Sequence, residues 1–406
     1  MTNPCPIDRA GWRRRVLWLS FIESLGTILI ERAIYFFSHE RLGYSEAQNL
    51  GLALLFGVTY TLGAAVSHGA AQRLGDRRAL AISLLLLFAL HALMALVPSG
   101  VVLALAFASV GFFEGVKWPI IESYVGAGLS PDQQLGAVGR FNVSWALAVP
   151  IAMAASGPLI VSGWPASLFA LAALANLGAL ALIARLPAAA PHLEATHPSR
   201  QDEGKLARYR ALLASSRWTM LSAYALMFLL APLLPVVFSR LGRPVAEATF
   251  WAACMDAVRV CTFAALAALP GWHGRTGPLW IGAIGLPLGF AAVIAGPSLW
   301  LVLAGEVAFG VLAGVTYHAA LYYAIVVKNA AVDAGGGHEG LIGVGLALGP
   351  ALGLLGDVLS RRGNNPLIGI SLAATPLVCA CWFGALRALV RVRAGERVGA
   401  GLSRGM

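Results

Sequence analysis

Residues 111–124 read GFFEGVKWPIIESY, and the fold is decided by how this stretch is read. It closes an apolar run that begins near Val101, yet it carries Glu114, Lys117 and Glu122. Ionisable groups inside a bilayer are costly unless they pair or face a water-filled cavity. On a helix, Glu114 and Lys117 share a face, and so do Glu114 and Glu122. The stretch therefore reads as the end of a cavity-lining membrane helix in a transport protein. The competing reading is an internal salt bridge that only holds a helical bundle together.

The rest of the chain agrees that the surroundings are a membrane. Of 406 residues, 58% are hydrophobic and 12% charged, against about 25% charged in soluble domains. Apolar runs of membrane-spanning length recur from end to end. They are too long and continuous for barrel strands, and lipid leaves no water to satisfy a bare backbone, so they read as helices. The net charge of +10 does not imply nucleic acid, because basic residues cluster in short segments between spans, as contact with anionic lipid predicts. The five cysteines show no metal-ligand or disulfide spacing, and four lie within apolar runs. Arg13 to Arg15 precede the first run, but no small-residue cleavage site follows, so that run is expected to be retained.

Twelve spans are expected, at about 16–37, 49–72, 79–97, 101–125, 140–161, 164–186, 217–238, 246–269, 278–295, 298–327, 339–359 and 366–390. Pro98, Ser99 and Gly100 mark one tight turn, and Gly296 and Pro297 another. Pro150, Pro158, Pro232 and Pro235 are expected to kink or end helical turns. Residues 187–216 are polar, with prolines, histidines and mixed charge, and read as a linker. The expected organisation is an all-α membrane protein of two six-helix bundles, residues 1–186 and 217–406, joined by that linker. With both termini inside, most of the 29 lysines and arginines fall on the inner side. Arg32, Arg41, Arg240, Arg243, Arg361 and Arg362 fall outside, and Lys117 and Arg259 lie within the membrane. That bias supports cytoplasmic termini.

The two halves echo each other. Gly111, Gly115 and Lys117 in the fourth span match Gly310, Gly314 and Tyr317 in the tenth. Ser156-Gly157-Pro158 likewise matches Leu348-Gly349-Pro350. Glycines four apart let helices approach closely, and parallel six-span repeats around a central cavity are a known transporter plan. In its six-plus-six layout, middle linker and loop signatures, nearly the whole chain resembles the major facilitator superfamily. That family's loop between spans 2 and 3 reads G-x-x-x-D-R-x-G-R-R or close to it. The segment HGAAQRLGDRR matches it at Arg73, Gly75, Arg77 and Arg78, with Gln72 at the acidic position and His68 at the first glycine. In the second copy, WHGRTG keeps Arg275 and Gly277 and has Gly274 at the acidic position. The surroundings of Asn142, Trp145, Gly157 and Pro158 also look like this superfamily.

The resemblance implies that spans 1, 4, 7 and 10 line a central cavity. Glu23, Glu114, Lys117 and Glu306 are then the leading residues for a solute or proton pathway. Fixed pairing of Glu23 with Lys117 is the alternative. Tyr317, His318 and Tyr322 are further candidates, although tyrosine is equally favoured at a membrane interface. Glu122 is a gate acid or an anchor. Asp256 and Arg259, three apart, read first as a structural ion pair and second as a gating pair. Arg73, Arg77, Arg78 and Arg275 are candidate gating contacts, or simply satisfy the charge rule for inner loops. Asp333, His338 and Glu339 form a polar patch near the inner mouth, without the spacing of a metal site.

No nucleotide-binding loop and no nucleophile–base or metal-ligand set is present, so neither a self-contained pump nor an enzyme is expected, and no cofactor is called for. The expected function is secondary transport of a small organic solute by alternating access, with proton coupling allowed by the buried acids. The alternative is a non-transporting sensor or scaffold with a transporter-like fold, favoured only by the degenerate loops. Partners are then a solute, protons and lipid but no nucleic acid. A monomer in a bacterial cytoplasmic membrane is expected.

Overall fold

The computed structural model describes residues 9–97, 99–129, 131–191, 203–328, 332–361 and 366–403, without the side chains at several helix ends, among them 332–335 and 391–403. Every element is helical. The chain runs through α1 (Arg9–Glu31), α2 (Ile34–Leu42), α3 (Glu46–Leu74), α4 (Asp76–Leu96), α5 (Gly100–Val125), α6 (Pro131–Val161) and α7 (Ser167–Ile183). It continues through α8 (Glu203–Leu230), α9 (Leu234–Arg240), α10 (Val245–Ala252), α11 (Cys254–Ala268), α12 (Gly277–Ala295), α13 (Leu299–Lys328), α14 (Val332–Arg361) and α15 (Pro366–Ser403). Among the described residues, ten helical segments are long and apolar enough to cross a membrane. The short apolar α7 and the broken α1–α2 segment bring the total to between ten and twelve.

Three expected spans are broken. The first breaks at Arg32 and Ala33, both of whose backbone N–H groups donate to the Ile28 carbonyl. The seventh passes through a short 3-10 turn at Ala231–Leu233 before α9. Pro232 and Pro235 lack the donors that an unbroken helix needs there. The eighth breaks at Ala253, between α10 and α11. Of the polar stretch expected as a flexible or peripherally helical connection, residues 203–216 are helical and continue as α8 into the seventh span. Lys205 is exposed while Leu206, Leu212 and Leu213 are buried, so this stretch has an apolar face to pack despite its charges.

Helix ends are tied by basic side chains bonded to backbone oxygens. At the end that carries the start of α1, Arg13 donates to the Ala127 carbonyl at 2.7 Å. There too, Arg208 donates to the Gly274 carbonyl at 2.6 Å. At the far end Arg41 donates to the Ile160 carbonyl at 2.6 Å, and Arg240 to that of Ile294 at 2.9 Å. The turn between α3 and α4 requires Gly75, whose φ of 83° suits glycine. Asp76 beyond it accepts the Ala190 N–H at 2.8 Å, and Arg77 donates to the Leu186 carbonyl at 2.9 Å. This loop is thus pinned to backbone.

Helices α1–α7 meet α8–α15 along two antiparallel seams. In one, α3 lies along α14. A methyl at Gly57 would strike the backbone of Leu346 and Ala347, and one at Gly343 would come within 2.9 Å of the Thr61 Cα. In the other, α6 packs on α10 and α11. There a Cβ at Gly157 would approach the Ala246 Cα to 2.7 Å, and one at Gly139 the Ala267 Cβ to 2.5 Å. Small residues let the backbones come this close, which is how helices gain packing energy in lipid. Both seams run from one end of the bundle to the other, with a central cavity left between the two sets of helices.

Candidate functional site

The decisive stretch lies on α5, and its charges are paired. Lys117 Nζ sits 2.7 Å from Glu23 Oε2 on α1 and 2.8 Å from the Glu114 carboxylate one turn away. Thr27, one turn beyond Glu23, donates to Glu114 at 3.1 Å. The Trp118 indole N–H donates to Glu114 at 2.9 Å. Lys117 is also 5.1 Å from the centroid of the Trp118 ring. All three charged side chains are at most 1% exposed. The predicted meeting of Glu23, Glu114 and Lys117 therefore occurs, in an enclosed cluster that fastens α1 to α5.

The central cavity is adjacent and has a volume of about 80 Å³. A water needs roughly 10–15 Å³ measured this way, so there is room for about five to eight waters. Glu23, Glu114, Lys117 and Glu306 do not line it. Its charged lining comes from Glu31 and Arg32 at the break after α1, Arg259 on α11 and Glu339 on α14. Aromatic walls come from Tyr60, Trp118, Trp145, Tyr224 and Tyr317.

Polar clusters bridge the two sets of helices on either side of this cavity. On the far side, Arg32 donates to Asp256 at 2.7 Å, and Arg259 reaches the same carboxylate at 3.0 Å. The Arg259 guanidinium also lies 5.0 Å over the Trp145 ring. The expected Asp256–Arg259 pair is thus joined by Arg32, which loop charge alone had placed at the outer surface and which is instead 3% exposed. On the side nearer the termini, Tyr60 on α3 donates to Glu339. Tyr317 on α13 donates to Glu122 on α5 at 3.4 Å. Asn142 on α6 meets His318 on α13 at 3.1 Å, and the Trp145 indole N–H donates to Asn142 at 3.1 Å.

The remaining candidates divide. Tyr317 lines the cavity, while His318 is buried behind it against Phe263 and Trp272. Tyr322 stacks on His273 at 4.6 Å, beyond the cavity toward the turn between α11 and α12. Glu306 is buried on α13, with Oε2 unpartnered. Arg73, Arg78 and Arg275 are exposed and form no ion pair among the described residues. The side chain of Asp333 lies outside the described residues. Sequence reasoning left out Glu31, Arg32 and Tyr60 as site residues. The available signal was an adjacent acid–base pair, Glu31-Arg32, in an apolar segment.

Long apolar helices, buried charges and a central cavity bridged by polar contacts define a polytopic membrane transport protein. Residues 16–354 match the model of the Major Facilitator Superfamily. The chain belongs to that superfamily, whose members are transporters and not enzymes, and alternating-access movement of a small solute is its function. Among solved structures, a bacterial homolog of the human lysosomal transporter Spinster, inward-facing and unoccupied, aligns with TM-score 0.62 and 17% identity, over 97% of this chain and 96% of that one. The human organic anion transporter MFSD10 gives TM-score 0.65 and 15% identity, over 92% and 99%. A variant of the nucleoside transporter NupG gives 0.64 and 13%, over 93% and 99%. These likenesses speak to the fold. None of the curated proteins compared matches the chain.

Proposed function

We propose that two six-span bundles, residues 1–186 and 217–406 with the connection 187–216, rock about the central cavity to carry a small polar organic solute. The observation that supports this most is the central cavity, flanked on each side by contacts between α1–α7 and α8–α15. Rocking breaks one set of contacts while keeping the other, which is the requirement of alternating access. Contacts within a bundle persist, so the Glu23–Lys117–Glu114 cluster acts as a fixed brace between α1 and α5. The cavity presents both Glu31 and Glu339 and both Arg32 and Arg259, a lining suited to a zwitterion or another small solute with charge of both signs. Glu31 is the proton carrier of this reading, because it faces the cavity and adjoins Arg32. Both termini are cytoplasmic, as the charge bias supports, and the protein works as a monomer in a bacterial cytoplasmic membrane.

Flux into proteoliposomes tests this, using a panel of labelled zwitterions, organic cations and organic anions with and without a pH gradient. Saturable flux of one class is expected, driven by the gradient. Glu31→Gln is expected to keep solute exchange at equal concentrations and to lose gradient-driven accumulation. Exchange and accumulation that fall together would remove Glu31 from coupling. A protein that binds a solute without moving it would overturn transport.

A further inference from the structure

One cluster is not explained by solute transport. Glu122 on α5 meets His338 and Glu339, consecutive on α14, and their ligand atoms all lie within 4.8 Å of one another. The three are 2%, 0% and 4% exposed. Two carboxylates held this close away from water repel each other unless a shared proton or a cation joins them. Among the described residues neither forms a salt bridge with lysine or arginine. Glu122 Oε2 and both ring nitrogens of His338 have no hydrogen-bond partner. Buried imidazole nitrogens rarely go unsatisfied, and one of these lies within 4.8 Å of a carboxylate oxygen of each acid.

We propose that Glu122, His338 and Glu339 form a binding site for a first-row divalent metal ion that clasps α5 to α14. Two carboxylate oxygens and one imidazole nitrogen suit zinc, manganese or iron(II). A dication exactly balances two carboxylates, so the buried site becomes neutral overall. Each acid is already oriented by a tyrosine, Glu122 by Tyr317 and Glu339 by Tyr60. Hydrogen bonds to the ligating carboxylates are the usual support of a metal site. Bonds of about 2.1 Å would bring the ligand atoms to roughly 3.5 Å apart in a tetrahedral site. That is a contraction of about an ångström, within reach of glutamate side-chain rotation. Glu339, Tyr60 and Tyr317 also line the central cavity, which gives the ion a way in. Because α5 and α14 belong to opposite ends of the chain, an ion held between them favours the conformation closed on this side.

The test is titration of the full-length protein in detergent, tag removed and stripped with chelator, with Zn²⁺ alone. Binding is read by calorimetry and by competition with a chromogenic chelator. One ion per chain is expected. Glu122→Gln and His338→Ala should each weaken binding at least about tenfold, and Tyr60→Phe about tenfold through the lost support. His39→Ala, far from the cluster, should leave binding unchanged. If His338→Ala does not fold, Glu122→Gln carries the test, since it keeps the side chain's shape. No stoichiometric ion, or binding unaltered by the variants of the cluster, would overturn the proposal. The readout requires no solute flux, so its failure and that of the transport reading are separable.

Discussion

Replacing Lys117 with methionine keeps most of the side-chain volume and removes one charge from a closed cluster. Its ammonium stands 2.7 Å from Glu23 and 2.8 Å from Glu114, with no exposure to solvent. Removing one member of a buried ion pair costs about 3–5 kcal/mol, because the partner is left charged and unsolvated. The two acids are not equally affected. Glu114 keeps Thr27 at 3.1 Å and Trp118 at 2.9 Å. Glu23 loses its one acceptor contact, and its Oε1 is already unpartnered. Lys117→Met should therefore destabilise by about 3–5 kcal/mol. Adding Glu23→Gln to it should recover about half or more, and adding Glu114→Gln less. Unfolding in mixed micelles with increasing denaturing detergent, followed by tryptophan fluorescence, measures this. A Lys117→Met protein within about 0.5 kcal/mol of the parent would refute the reasoning, as would a double variant no more stable than the single.

Arg32→Gln should abolish solute flux and leave Asp256 held by Arg259 alone, with Arg32→Lys recovering only part because lysine cannot reproduce the guanidinium fork. Proteoliposome flux and melting temperature, measured side by side, separate that effect from unfolding. Gly57→Leu should prevent α3 from seating on α14, so that spin labels on the two helices move several ångströms apart while each half stays folded. An unchanged distance distribution would contradict the close approach. Trp145→Ala removes the ring beneath Arg259 and the donor to Asn142, and should cost about 2–4 kcal/mol in unfolding. Arg73→Gln and Arg275→Gln should leave stability within about 0.5 kcal/mol, as expected for exposed groups without an ion pair.

Hydrophobic length and charge placement made the helical membrane fold readable from sequence, because in lipid the backbone has few alternatives to a helix. The Glu114–Lys117 and Asp256–Arg259 pairs were readable for a local reason, since three residues of helix fix each side-chain separation. Glu23 joined its cluster because a lone buried lysine needs more than one neighbour. What sequence could not supply was register between distant helices. Arg32 meets Asp256 across 224 positions, and Tyr60 meets Glu339 across 279. No local periodicity encodes either meeting. The break at Arg32 was equally hidden, since no proline or glycine marks it. Glu306 attracted attention because it is a charge in an apolar run; it shares the α13 face of Tyr317 but sits about three turns away, beyond the cavity lining.

The central claim is that the cavity opens to one side at a time, and side-specific labelling of one cavity residue tests it most directly. In a cysteine-free background, Ser24→Cys would report access to the cavity, which Ser24 lines. The pair Ala64→Cys and Gly336→Cys would lock the seam near the termini, where a Cβ at Gly336 lies 3.6 Å from the Ala64 carbonyl. The pair Leu50→Cys and Gly353→Cys would lock the far end, where a Cβ at Gly353 comes 2.5 Å from the Leu50 side chain. With the first lock formed, a membrane-impermeant thiol reagent should reach position 24 only from the far side. With the second it should do so only from the side of the termini, and reduction should restore both. Labelling from the same side under either lock would contradict alternating access in this protein.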